Sequence, residues 1–282
     1  MLEWGAVHRR DLPWRATRDP WRVLVSEVML QQTQVERVLA SYRDFLDAFP
    51  TPEVCARAGP GAVVRLWSGL GYNRRALHLH GAAAVITAQY GGIFPADEKA
   101  LRALPGVGPY TARAVLAFAF EADMAPVDTN VLRVLTRCIA GEGLSVRRAQ
   151  ALADHLLPSG RSWEFNQAMF DLGATVCTAA RPQCARCPLR AQCAWRRAGL
   201  GSADPWRASP SVRTQAPFAG SDRQGRGRLV AALRHGPVPR EMLASACGWP
   251  DDQARAERVA ASLVNEGFAD WTDGRPALLQ LC

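Results

Sequence analysis

Lysine is almost missing from this 282-residue chain: Lys99 stands alone among 34 basic residues, and arginine supplies the rest of a formal net charge of +8. So little lysine leaves almost no candidate for a Schiff-base nucleophile. The chain also lacks any apolar run near the roughly 20 residues that cross a bilayer, and its opening, MLEWGAVHRRDLPWR, has no apolar core of the signal-peptide kind. A cytoplasmic protein with reduced thiols is expected, so its eight cysteines ask for a metal before a disulfide. Sustained period-two alternation is absent before residue 200, which predicts an all-α main body. What the chain does have is 48% hydrophobic residues, enough for a proper core, and a pI near 9.4, which favours a polyanionic partner.

The rest is organised around Leu104 to Asn130, LPGVGPYTARAVLAFAFEADMAPVDTN. Helix formers run from Asp97 to Leu104 and an Ala-rich apolar run follows from Thr111 to Phe120, so the residues between read as a tight hairpin, with Gly106 and Gly108 where the backbone turns sharply. Bare amide N–H groups at the start of the second helix suit a phosphate. Asp128 comes just before a further helix, 130–140, as an N-cap, a functional carboxylate, or both. Upstream, Trp21, Leu24, Val25, Val28 and Met29 make one apolar helical face around Glu27, and a second apolar stretch runs from Val35 to Phe49. Helices are also expected over 52–58, 60–68, 73–90, 146–157 and 162–175, with Gly69-Leu70-Gly71-Tyr72 parting the second and third of these. Residues 1–20 read as a polar lead-in and 201–222 as a Pro/Ser/Gly-rich linker. The last stretch, 223–282, reads as three helices and a β-hairpin about Thr272-Asp273-Gly274, a winged-helix-like module. Such a module serves nucleic-acid binding or packing, and the mixed charges of its third helix favour neither.

Cys177, Cys184, Cys187 and Cys193 have the spacing C-x6-C-x2-C-x5-C, and four thiolates within seventeen residues can close around one centre. Structural zinc more often shows two C-x2-4-C pairs set far apart, and only one such pair is present. Arg181, Arg186 and Arg190 interleave these cysteines and add positive charge to the loop. Cys55, Cys138, Cys247 and Cys282 have no ligand spacing and read as core or terminal residues.

LPGVG followed by VDTN resembles the helix-hairpin-helix base-excision DNA glycosylases, and the cysteine spacing is similar to the [4Fe–4S] loop of endonuclease III and the MutY adenine glycosylases. Ser26 to Val35, SEVMLQQTQV, resembles the MutY motif almost letter for letter, and the match runs in order over about residues 10–195. The resemblance implies double-stranded DNA containing a mismatch as partner, a [4Fe–4S] cluster on the four cysteines, and a nucleoid-associated monomer. A glycosylase flips its base out of the stack, protonates it as it leaves, and steadies an oxocarbenium-like sugar. Carried over, Glu27 protonates adenine, its apolar neighbours favouring the protonated carboxyl. Asp128 faces the sugar, held ionised by amides at a helix start. Gln31 and Gln32 line the base stack, Tyr72 wedges into DNA, Gly106 and Gly108 shape the phosphate-binding hairpin, and Asn130, Arg133 and Arg137 support the aspartate and the phosphates.

The implied fold is all-α with two lobes and the DNA cleft between them. Residues 20–125 form the hairpin lobe, 1–19 and 126–200 the cluster lobe, 201–222 the linker and 223–282 the added module. Two departures bear on activity. Bifunctional endonuclease III relatives carry a lysine just after PGVG; Tyr110 stands there, so no lyase chemistry is expected. Many MutY proteins have serine at this place, whereas tyrosine resembles the thymine glycosylases of T·G mismatches. The long MutY proteins also end in a Nudix-like domain, and this chain resembles the shorter form. The expectation is a monofunctional adenine glycosylase acting opposite 8-oxoguanine or guanine. The alternatives are a thymine or uracil mismatch glycosylase of the same fold, and a non-catalytic DNA-binding iron–sulfur protein.

Overall fold

The computed structural model describes residues 1–199, 203–209, 217–274 and 276–282. Its helices are α1 (Leu2–His8), α2 (Pro20–Leu30), α3 (Val35–Ala48), α4 (Pro52–Ala58), α5 (Pro60–Leu66), α6 (Arg74–Tyr90), α7 (Glu98–Arg102) and α8 (Pro109–Ala119). They continue with α9 (Thr129–Val134), α10 (Val146–Leu156), α11 (Ser162–Asp171), α12 (Ala194–Arg197), α13 (Asp222–His235), α14 (Leu243–Cys247) and α15 (Gln253–Asn265). Three short strands, β1 (Val238–Pro239), β2 (Ala269–Trp271) and β3 (Leu278–Leu281), form an antiparallel sheet in the order β1-β3-β2. The body is all-α as the missing alternation requires.

Two compact units make up the chain: Met1–Leu24 with Ala96–Arg102 and Val107–Thr214, and Val25–Pro95 with Ala103–Gly106 and Gln215–Cys282. These boundaries differ from the expected ones. The chain changes unit inside α2 and inside the hairpin, and the C-terminal module joins the second unit instead of standing apart.

In the first unit the apolar face of α9 continues through a wide π-type turn over Leu135–Ala140. Val131, Leu132, Val134 and Leu135 pack there with Leu144, Ala149, Met169, Leu172 and Val176. The polar lead-in contains a helix, α1, which lies across α11. Gly5 sits at the crossing, where a Cβ would come within 2.6 Å of the Ala168 Cβ. A glycine reads as a helix breaker in a short sequence window, and here it is what lets the two helices approach. The expected linker also begins as fixed structure. Asp204 pairs with Arg137 at 2.5 Å and the Ser209 hydroxyl donates to the Leu144 carbonyl. Residues 200–202 and 210–216, the other part of that expectation, lie outside the described residues.

In the second unit α4, α5 and α6 pack together around Val63, Val64, Ala76, Leu79, Ala83 and Ile86, which are buried. Helices α13, α14 and α15 pack with the small sheet in a helix-and-wing arrangement, in which the expected hairpin of β2 and β3 gains a third strand, β1, where the second helix was expected to start. A Cβ at Gly61 on α5 would overlap the carbonyl of Cys282, so the end of β3 lies directly on that helix.

Candidate functional site

Each unit carries one candidate carboxylate with its own supporting residues. In the second unit Glu27 lies in the middle of α2, where Val23 to Met29 are all buried, and it is 7% exposed. Gln31 and Gln32 follow the helix end, Gln32 with a φ of 56°. Tyr72 has a φ of 45°, flanked by Gly69 and Gly71 at 80° and 68°, and is 48% exposed. A non-glycine residue held in this region costs about 1 kcal/mol or more and survives only where its surroundings fix it.

What fixes it is Arg75, which sequence reading passed over. Its Nη1 donates to the carbonyls of Val28, Met29 and Gln31 at 2.6–2.8 Å, and its Nη2 to Thr33 Oγ1, Leu70 O and Gly71 O at 2.9–3.0 Å. One buried guanidinium therefore closes the C-terminal carbonyls of α2 and the loop before Tyr72 at once. Burial draws its pKa down to about 10. The guanidinium also lies 5.4 Å from the Trp67 ring and 5.7 Å from the Tyr72 ring.

Of the two hairpin glycines only Gly106 turns through positive φ, at 74°, and a Cβ there would press on His78 at 2.6 Å. Gly108 is instead the extended N-cap of α8, with φ −84° and ψ 177°. Nothing lies within 4 Å of where its Cβ would be, and Pro109 occupies the first helical position. Tyr110 follows in the first turn, half-buried.

In the first unit Asp128 N-caps α9, its Oδ1 accepting from the Val131 amide at 2.7 Å and its Oδ2 from Asn130 Nδ2 at 2.8 Å. The cap is as expected, and burial works against it. Protein crowds this partly exposed carboxyl so closely that burial pushes its pKa up, and the hydrogen bonds from Val131 and Asn130 and the charge of Arg133 only partly offset it. Arg133 reaches Asn130 Oδ1 at 2.7 Å, the Gly173 carbonyl at 2.8 Å and the Cys177 carbonyl at 2.7 Å. Gly173 makes this possible, since a Cβ there would strike Asn130 at 2.7 Å. Arg137 donates to Thr178 O, Ala179 O and Asp204. The expectation that Arg133 and Arg137 serve phosphates is corrected: they are 6% and 1% exposed, and their donors are taken up inside the protein.

Cys177, Cys184, Cys187 and Cys193 line one cavity with Arg137, Arg190 and Arg196, and none of the four is in a disulfide. Among the described residues no three His, Cys, Asp or Glu side chains are placed in metal-binding geometry. The donor chemistry nonetheless suits an anionic thiolate centre. The Cys177 thiol is drawn down to about 6, first by a hydrogen bond from Cys138 and then by Arg137, and Cys187 to about 7, again chiefly by Cys138. Burial pushes Cys184 up. Cys138 is buried in the core as expected, and it is also a fifth thiol in the wall of this cavity, contributed by the turn after α9 and invisible to ligand spacing.

Residues 25–158 match the model of the HhH-GPD superfamily base excision DNA repair proteins. The chain is 42% identical over 283 aligned residues to the adenine DNA glycosylase of Mycolicibacterium smegmatis, covering 99% of this chain and 94% of that protein. Among solved structures it resembles a thermostable thymine-DNA glycosylase, with a TM-score of 0.67 and 33% identity over 70% of this chain and 94% of the other. It also resembles endonuclease III in a non-covalent DNA complex, with a TM-score of 0.61 and 25% identity over 70% and 94%.

Proposed function

Since the chain belongs to the HhH-GPD superfamily of base excision DNA repair proteins, with an adenine DNA glycosylase as a near-full-length relative, we propose that it is a monofunctional DNA N-glycosylase that excises adenine mispaired with 8-oxoguanine or guanine. The observation that carries the reading is the unlike setting of its two carboxylates. Glu27 is buried inside a helix of apolar neighbours, and Asp128 caps a helix start. A carboxyl away from water can carry a proton to the departing base, and one facing amide donors can, once ionised, steady a cationic sugar. Tyr72, exposed on its loop, would enter the space left by the flipped base, with Gln31 and Gln32 beside the stack and the hairpin turn at Gly106 and Gly108 against a phosphate. Tyr110 in the place of a lysine supports base release without strand cleavage.

The four cysteines would hold a [4Fe–4S] cluster, which supplies a rigid charged anchor for the loop Cys177–Cys193. Around it, Arg133 ties the Cys177 carbonyl to Asn130 and so steadies Asp128. The protein would act as a monomer on duplex DNA.

A thymine or uracil mismatch glycosylase is the second reading, favoured by Tyr110 and by the likeness to a thymine-DNA glycosylase. Single-turnover base release separates the two on duplexes with adenine opposite 8-oxoguanine, adenine opposite guanine, and thymine opposite guanine. Adenine release is expected. Thymine release alone would replace the first reading by the second, and binding without any release would leave a non-catalytic DNA-binding protein.

A further inference from the structure

The C-terminal module, residues 217–282, carries eight arginines against eight aspartates and glutamates, so the chain's entire excess of +8 lies before it. A neutral module makes a poor phosphate binder by charge alone. Arg234 and Glu266 instead hydrogen-bond to the helical part of the same unit, and they reach the residues that follow Tyr72. From α13, Arg234 donates through Nε to the Val64 carbonyl at 3.0 Å and through Nη2 to Asn73 Oδ1 at 2.9 Å. Glu266, at the end of α15, accepts from Arg74 Nε at 3.0 Å. That carboxylate is itself fixed by Arg226, whose two terminal nitrogens reach it at 2.8 Å, and by the Ser262 hydroxyl at 2.9 Å. Asn73 and Arg74 are thus both tied to the module, one residue and two residues past the strained Tyr72.

We propose that the C-terminal module is a brace for the Tyr72 loop, holding the intercalating side chain in its DNA-ready conformation through Arg234–Asn73 and Glu266–Arg74. Arg75 pins the loop at Leu70 and Gly71, and the module pins it on the far side of Tyr72. The module then acts on DNA without touching it. By stabilising a backbone conformation that costs energy, it lowers the cost of ordering the loop on binding. The inference rests on Tyr72 being the DNA wedge.

The test uses the full chain and two readouts. In the free protein, amide hydrogen exchange over Gly69–Arg74 should quicken about tenfold in Arg234→Ala and in Glu266→Gln, the effect of losing one charge-assisted hydrogen bond. Affinity for the adenine·8-oxoguanine duplex should weaken by a similar factor, while single-turnover release at saturating DNA stays near wild type. Arg240→Ala, which breaks an ion pair with Glu257 internal to the module, is the control and should alter neither. Because Arg234 acts through Asn73, the double variant Asn73→Ala/Arg234→Ala should exchange no faster over the loop than Arg234→Ala. Unchanged loop exchange in Arg234→Ala, or full additivity in the double variant, overturns the brace. Exchange is read without DNA, so a wild type that releases no base would count against the proposed function and leave the brace standing.

Discussion

In each unit the candidate residues hang on one buried arginine, and the two arginines do different work. Arg75 donates to backbone carbonyls and one hydroxyl, from three stretches of chain: the end of α2, the turn at Thr33, and the loop before Tyr72. No carboxylate is among those partners, so it acts as a geometric clamp. Arg133 also takes two carbonyls, but its third partner is Asn130, which donates to Asp128. It acts through one intermediary on a carboxylate. The surroundings of Glu27 and Tyr72 are thus fixed in shape, and those of Asp128 are tuned in charge.

The largest effects should come from the carboxylates themselves. Glu27→Gln and Asp128→Asn should each lower single-turnover adenine release by about 1000-fold, within the range for a proton donor or a charge stabiliser, with DNA affinity and melting temperature close to wild type. If Asp128→Asn kept most of its rate, the cap would be its whole function. Next comes the clamp. Arg75→Ala leaves up to six acceptors without their donor and should cost about 3 kcal/mol or more in chemical denaturation. Arg75→Lys should recover little of this, because one ammonium cannot span both the end of α2 and the loop. Full recovery by lysine would show that charge at the helix end, and not the forked geometry, is what the site needs.

This asymmetry also explains what the sequence made legible. The helices, the hairpin and the Asp128 cap are local: apolar spacing, Pro-Gly punctuation and an aspartate before a helix state them within a few residues. Glu27 stood out as a carboxylate set in a buried face. Arg75, by contrast, has partners up to 47 positions away, and nothing near it separates it from any other arginine at a helix start. Cys138 lacks ligand spacing, because its place in the cysteine cavity is set by the wide turn after α9. The Asp204–Ser209 segment has a linker's composition, yet a buried arginine waits for its carboxylate. Asp128 shows the limit most clearly. Its hydrogen bonds could be read from its position, whereas the crowding that outweighs them arises from the folded packing.

The tuning of Asp128 can be measured through pH. With its pKa raised by burial, ionisation, and with it the acid limb of the single-turnover rate, should lie above the ordinary aspartate value of about 3.9. The Asn130 side chain hydrogen-bonds the carboxylate and favours its charged form. Asn130→Ala should therefore move this limb to higher pH, so the rate falls most on the acid side and recovers as pH rises. A uniform loss at all pH values would mean that Asn130 positions Asp128 without tuning it.

The smallest effect expected is at Asp204, where the same first unit holds a carboxylate shifted the other way. Burial raises its pKa, but hydrogen bonds from Arg137 and the Trp206 amide outweigh it, and the net shift is downward. A carboxyl with a depressed folded pKa contributes stability above its unfolded value and loses it only as pH falls through the folded one. Asp204→Asn should thus cost about 1 kcal/mol in denaturant at pH 7. The difference from wild type should stay flat down to about pH 5, since the unfolded aspartate titrates near 3.9. A difference that already shrank between pH 7 and 5 would point to a group other than this pair. A difference of zero would mean that Arg137 is held by the Thr178 and Ala179 carbonyls alone, with residues 203–209 lying on the unit without securing it.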